Sequence, residues 1–325
     1  MLSRVADALY WMSRYIERAD NMTRFVNVTE HLTLDMPGAR DRQWRALVAA
    51  TGDDDEYLER HQSFDRDGVI RFLAFDGDYR SSIWSCVRSA RENARGVREV
   101  ISADVWTQIN KTYLFAQRSA RNPDPLVQDP EPFIERMEQS CYAILGAVRL
   151  TMSHEDPWRF MQVGRLLERA DKASRILDVK YFLLPESGGV DAAVEELQWS
   201  ALLQNVSALE MYRQRHGSVT PRKALRFLLF DATFPRSIRF TIETAEAALR
   251  GLEHRSVHGP LNPAERKLGK LRASLEFGSV DEVLELGLHD WVDGFQRELN
   301  EVGGAIQDVF FALPEQSQSQ SQSQS

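Results

Sequence analysis

The chain has 325 residues, 43% of them hydrophobic, a formal net charge of −8 and two cysteines, Cys86 and Cys141. That length suggests about two domains, the acidic balance excludes an overall basic field for nucleic acid or anionic lipid, and two thiols make no disulfide framework. No stretch reaches the roughly 18 apolar residues of a membrane span and the charged N-terminus lacks a leader core, so a soluble, cytoplasmic protein is expected, with neither nucleic acid nor membrane as partner.

Glycine and proline are sparse, 18 and 12 residues, which favours long helices. The first predicted helix is capped by Ser3 and ends at Pro37-Gly38. Val5, Leu9, Met12, Ile16, Ala19 and Val26 form one apolar stripe on it; Trp11, Tyr15, Met22 and Phe25 form another. Two stripes at helical spacing leave little polar circumference, so this helix is expected at the centre of the fold. Its third face carries Arg14, Glu17, Asn21 and Arg24, and Arg18 sits within the aromatic stripe. On a solvated helix the Arg14–Glu17 spacing contributes a few tenths of a kcal/mol. Inside a bundle the same charges must satisfy one another, because a buried charge without a partner costs several kcal/mol.

Helices are then expected at 41–50 and 69–75, the second ending at Asp76-Gly77, with Tyr57–His61 between them preceding a polar break. Asp78 is expected to open a long helix through Ile101 with Ile83, Val87, Ala90, Ala94 and Val97 in the core. Beside that core stripe run Trp84, Arg88, Arg91, Arg95 and Arg98. Like charges at these steps destabilise a bare helix. Glu92, Glu99, carboxylates of other helices or a bound anion must offset them. Trp106–Arg118 reads as helix, Asn122–Pro132 as a proline-rich loop and Phe133–Thr151 as helix.

The chain then repeats itself. Arg14-Tyr15-Ile16-Glu17-Arg18-Ala19-Asp20 returns as Arg165-Leu166-Leu167-Glu168-Arg169-Ala170-Asp171, an offset of 168 − 17 = 151. Beyond an insertion near Ser187-Gly188-Gly189 the offset is 199 − 44 = 155, set by Trp44 and Trp199. Tyr57, Arg60, His61 and Ser63 fall on Tyr212, Arg215, His216 and Ser218. The expected fold is all-α, with two tandem, internally repeated helical-bundle units at 1–153 and 154–314. A disordered Gln/Ser tail follows at 315–325. In the second unit Thr233 is expected to cap the helix matching the arginine-rich one, and helices close the unit at 262–277 and 280–311. That second helix carries Arg239, Glu243, Glu246, Arg250 and Glu253 where the first has its arginines. A difference confined to one charged stripe points to a site.

No phosphate-binding glycine loop, His-Glu-x-x-His or nucleophile elbow occurs, and no cofactor or metal site is expected. His254 and His258, followed by Gly259-Pro260, read as a helix terminus. His61 and His216 read as helix-end residues with a general base as the alternative, and Cys86 and Cys141 as core residues with a reactive thiol as the alternative.

Tyr10-Trp11-Met12-Ser13-Arg14-Tyr15-Ile16-Glu17-Arg18-Ala19-Asp20, Ser89-Ala90-Arg91-Glu92-Asn93-Ala94-Arg95, the second Glu168-Arg169-Ala170-Asp171 and Phe234-Pro235-Arg236-Ser237 resemble the alpha-E family of bacterial all-helical proteins with a Glu-Arg motif. The resemblance extends to about Leu313. It implies a place beside an ATP-grasp amide-bond ligase, with a transglutaminase-like or proteasome-like peptidase in the same systems. Three functions follow as expectations. The first is a helical partner subunit of the ligase, binding an anionic substrate or the ligase itself. The second is an acid–base enzyme with a cavity built from Glu17, Arg18, Arg91, Glu92 and Arg95. The third is a scaffold. Candidate binding residues are Arg14, Glu17, Arg18, Arg88, Arg91, Glu92, Arg95, Glu168 and Arg169.

Overall fold

The computed structural model describes residues 1–35, 40–182, 192–252 and 262–312, and among them every regular element is helical. In the first half these are α1 (Ser3–Asp35), α2 (Arg40–Thr51), α3 (Asp54–Leu58), α4 (Arg66–Ile70) with a π-helical turn Arg71–Phe75, α5 (Ile83–Gly96), α6 (Ala103–Arg121), α7 (Asp124–Gln128) and α8 (Glu131–Thr151). The second half has α9 (Asp156–Phe182), α10 (Ala192–Asn205), α11 (Leu209–His216), α12 (Pro221–Phe230), α13 (Ile238–Arg250), α14 (Pro263–Phe277), α15 (Val280–Leu286) and α16 (Leu288–Ile306), which runs into a second π-turn, Gln307–Phe311.

Two apolar stripes put α1 at the centre, as its sequence requires. Leu9, Met12, Met22, Phe25 and Val26 are all buried. α1 packs on α9, α5, α8, α2 and α10, and α9 also packs on α13 and α16. α1 and α9 lie side by side and run in the same direction, since Gly164 meets Tyr10, Glu168 meets Arg14 and Arg169 meets Glu17. One hydrophobic cluster continues from Val5 through Ala170 to Phe311, so the apolar core is shared by both halves.

Several helix ends differ from expectation, each for a local reason. The helix expected from Asp78 starts at Ile83. The Asp76 carboxylate accepts from the amides of Asp78 and Tyr79 and folds that segment into a turn. Ser82 then takes the cap, donating to the Asp76 carbonyl and accepting from the Ser85 amide at 3.0 Å. α5 ends at Gly96, and Ser102 caps α6 separately. Asp231 holds Thr233 and Phe234 in the same way, so Ser237 rather than Thr233 caps α13. The expected helix over 280–311 is broken at Gly287, whose φ of 97° is a left-handed conformation that glycine adopts without a steric cost. The proline-rich loop contains the short helix α7. Pro37-Gly38, Ser187-Gly188-Gly189, Glu253, His254, His258, Gly259-Pro260 and the Gln/Ser tail lie outside the described residues.

Equivalent positions make equivalent contacts in the two halves. The Tyr57 hydroxyl donates to the Ser63 carbonyl and that of Tyr212 to the Ser218 carbonyl. Arg60 pairs with Asp76 and Arg215 with Asp231. His61 stacks on Tyr57 at 4.5 Å, and His216 lies beside Tyr212 at 5.0 Å.

Candidate functional site

Neighbouring residues on a helix point about 100° apart, so Glu17 cannot grip Arg18 within its own helix. The two Glu-Arg pairs grip each other across α1 and α9 instead. Arg169 forks onto Glu17, Nε to Oε1 at 2.7 Å and Nη2 to Oε2 at 3.0 Å. Arg18 forks onto Glu168, Nε to Oε1 at 2.6 Å and Nη2 to Oε2 at 3.1 Å. Two-point contact of this kind fixes orientation as well as charge. Both glutamates are fully buried. The expected Arg14–Glu17 pair is not made. Arg14 donates from Nε to Glu168 at 2.8 Å and from Nη1 to the Tyr10 hydroxyl at 3.0 Å.

Two charge knots result. In one, Glu168 and Asp171 face Arg14, Arg18, Lys172 and Arg175. In the other, Glu17 and Asp20 face Arg24, Arg169 and Arg236, with Arg165 close enough to act on Glu17 through space. Each knot sets four cations against two buried carboxylates. Glu138 answers Arg24 from its more exposed position at 4.0 Å, and Tyr142 and Ser207 accept from Arg24 as well. Ser207 has a φ of 51°, the only positive φ at a non-glycine among the described residues. Arg165 shows the excess most plainly. Its Nη2 donates to Gln162 at 2.6 Å, but its buried Nε has no acceptor. Burial, followed by the charge of Arg169, lowers its pKa to about 10.

The carboxyls respond in the opposite direction. Burial alone would raise Glu168, but Arg18, Arg14 and Lys172 outweigh it and hold the carboxyl well below its ordinary range. At Asp20, burial is outweighed by Arg236 and Arg24, and the pKa falls to about 2. A carboxyl with a depressed folded pKa contributes stability above its unfolded value and loses that stability as the pH falls through the folded one. For Asp20 this window runs from an ordinary value of about 4 down to about 2. Stability by urea unfolding should therefore hold from neutrality to about pH 5 and drop steeply between about pH 4 and 2. A flat profile to pH 2 would contradict the pairing.

The first knot opens into a cavity of about 290 Å³ between α1, α9 and α16. Arg14, Tyr10 and Trp11 form one wall, Asp171 and Leu167 another, and Asn300 and Gln307 bring side-chain amides from α16 and its π-turn. The Arg14 guanidinium lies over the Trp11 ring at 5.0 Å, which leaves its planar fork directed by packing. Gly303 and Gly304 complete the lining, and a Cβ at either would meet nothing within 4 Å. Glycine inside a helix costs about 1 kcal/mol relative to alanine. Gly303→Ala should therefore raise the unfolding free energy by about 0.5–1 kcal/mol while narrowing the cavity, and thermal unfolding would show it. A loss of stability would mean the space is already filled by the fold.

The arginine stripe of α5 does not join this site. Arg91 donates to Asn110 and Glu92 and lies over the Tyr113 ring at 4.4 Å. Arg95 bonds Glu92 and is 66% exposed. Arg88 donates to the Gly77 carbonyl and lies over Trp84, and Arg98 lies over Trp106. Aromatic rings from α5 and α6, together with Glu92, offset the like charges. The expected cavity of Glu17, Arg18, Arg91, Glu92 and Arg95 is thus not assembled, because α5 turns its apolar face to α1 and its arginines toward α6 and solvent. Another cleft, of about 400 Å³, has Arg222, Arg226 and Arg239, but Asp281 and Glu243 answer Arg222 and Arg239 at its surface. Neither cysteine is a poised nucleophile. Both are buried, and burial pushes the Cys86 thiol up to about 12.

Sequence reasoning found the Glu-Arg pairs, named Arg236 within a motif without placing it at the site, and missed Ser207, Asn300 and Gln307. The adjacent Gly303-Gly304 inside an otherwise helical segment was the available signal for the cavity wall.

A family model described as a predicted alpha-helical domain with a conserved ER motif, Alpha-E, matches residues 1–311. The chain belongs to the Alpha-E family. Glu-Arg occurs five times in this Alpha-E chain, and the occurrences at Glu17-Arg18 and Glu168-Arg169 pair with each other across the central helices. Uncharacterized proteins of Mycobacterium bovis and Mycobacterium tuberculosis are 25% identical to it over 321 residues, covering 93% of this chain and 35% of each relative. The Alpha-E chain thus spans about a third of the length of these curated relatives. No solved structure gives a significant match. No described helix is long and apolar enough to cross a membrane.

Proposed function

We propose that the chain is a helical partner subunit of an ATP-grasp amide-bond ligase system. In this reading it holds an anionic group of that system's substrate in the cavity between α1, α9 and α16. The observation that carries the proposal is the charge balance of the knot that opens into the cavity: Arg14 and Asp171 line the cavity, and behind them Arg18, Lys172 and Arg175 stand with Glu168, four cations to two carboxylates. Arginine suits the task because its fork meets a carboxylate or phosphate at two points. Arg14 makes its described side-chain bonds through Nε and Nη1, which leaves Nη2 for a ligand. Relatives about three times the matched length fit a module that works beside other activities. A cytoplasmic location and a transglutaminase-like or proteasome-like peptidase acting on the product belong to the same reading. The ladder of half-buried Arg91 with exposed Arg95 and Arg98 is then the face offered to an acidic surface of the ligase.

The test is co-purification with the ligase and ATP turnover with and without this chain. Arg14→Gln should lower turnover while leaving association intact. Arg91→Gln with Arg95→Gln should weaken association, and added salt should do the same, since Arg95 is 66% exposed and screened. Normal association and turnover in folded variants of both kinds would leave the scaffold reading.

A further inference from the structure

A second polar cluster lies farther along the α9–α16 seam. Asp178 comes from α9, and His289 and Asp293 share one face of α16 at i and i+4. His289 Nδ1 is 3.1 Å from Asp178 Oδ1, and His289 Nε2 is 3.8 Å from Asp293 Oδ2. One ligand-type atom from each of the three lies within 4.8 Å of the other two. Seven residues separate Asp293 from Asn300, roughly 10 Å along the helix, so the cluster is distinct from the anion cavity.

We propose that Asp178, His289 and Asp293 form a binding site for a first-row divalent metal ion, with Zn²⁺ the closest chemical match. One imidazole nitrogen and two carboxylate oxygens, without thiolate, are a ligand set that such ions accept. Ligands about 2.0–2.2 Å from a tetrahedral zinc lie roughly 3.3–3.6 Å apart. The Asp178–His289 separation is already close to that. His289 turns Nδ1 to Asp178 and Nε2 to Asp293 and can offer one ion only one of them, so Asp293, 54% exposed on its side chain, has to swing toward the Nδ1 side to complete the set. Asp178 is buried and has neither lysine nor arginine within 4.0 Å among the described residues, Arg175 acting on it only from farther away. Three protein ligands leave a fourth position for water or an anion. The bound ion would tie the start of α16 to the end of α9.

The experiment is calorimetric titration of Zn²⁺ into the full chain after chelator treatment, with Co²⁺ absorption as a second readout. One equivalent should bind at micromolar Kd or tighter, with a visible Co²⁺ band and a raised Tm. His289→Gln and Asp178→Asn should each weaken binding at least tenfold. Asp293→Asn changes a surface residue, leaves the fold intact and should weaken it as well. Absence of zinc binding by the wild type would overturn the site. So would folded Asp293→Asn and His289→Gln proteins that bind as tightly as wild type, which would leave His289 and Asp178 as an interhelical hydrogen bond only.

Discussion

Glu168→Gln should lower the unfolding free energy by about 3–5 kcal/mol, the usual cost of stranding buried partner charges. Glutamine keeps the volume and removes the charge that answers Arg14 and Arg18 at 2.8 and 2.6 Å. Lys172 keeps Asp171, but the two arginines, each with 17% of its side chain exposed, lose the one carboxylate they bond directly. Glu17→Ala should behave alike, since it strands Arg169 and removes the Arg236 contact at 3.7 Å. Glu92→Gln is the control. Its side chain is 47% exposed, and surface substitutions usually stay within about 0.5 kcal/mol. Urea unfolding of the three variants reads all of this. A Glu168→Gln change no larger than the control's would mean that the knot is solvated and carries little of the fold's stability.

Gly164→Ala should cost about 3 kcal/mol, the upper part of the usual overpacking range. A Cβ at Gly164 would sit 2.3 Å from the Tyr10 carbonyl oxygen and 3.0 Å from its carbon. These are backbone atoms of a packed central helix, so no rotamer change relieves the overlap. α1 and α9 would have to separate along the very seam that holds Arg14 against Glu168. The variant should therefore melt earlier and show a weaker dependence on acid pH, because the knot loosens with it. Gly303→Ala, which meets open space, should move the Tm the other way. Equal effects at both glycines would contradict the close approach of the two helices.

The sequence made the central place of α1 legible, because two apolar stripes on one helix leave it nowhere else to go. It also made the Glu-Arg pairs legible through their return 151 residues later. Periodicity names a polar face but not the helix that the face meets. The pairing of Glu17 with Arg169 rather than with its own helix neighbours was therefore out of reach. The α5 arginines are a second case. Their crowding was visible, but the rings of Trp106 and Tyr113 that accommodate them come from another helix. Cap positions failed for a different reason: Asp76 and Asp231 act as turn formers just upstream, and Ser82 and Ser237 take over the capping.

The central claim, that an excess of cations over carboxylates in the knot makes the α1–α9–α16 cavity an anion site, is tested most directly by phosphate-dependent thermal stability. Inorganic phosphate is titrated at constant ionic strength into wild type, Arg14→Gln and Gly303→Leu. Phosphate also stabilises proteins generally through exclusion from their surfaces, so the difference between proteins is the reading. Wild type should gain Tm in a saturable manner, with a stabilisation following RT ln(1 + [L]/Kd). The two variants should keep only the shallow, non-saturating rise. The same curve in all three proteins would contradict the account.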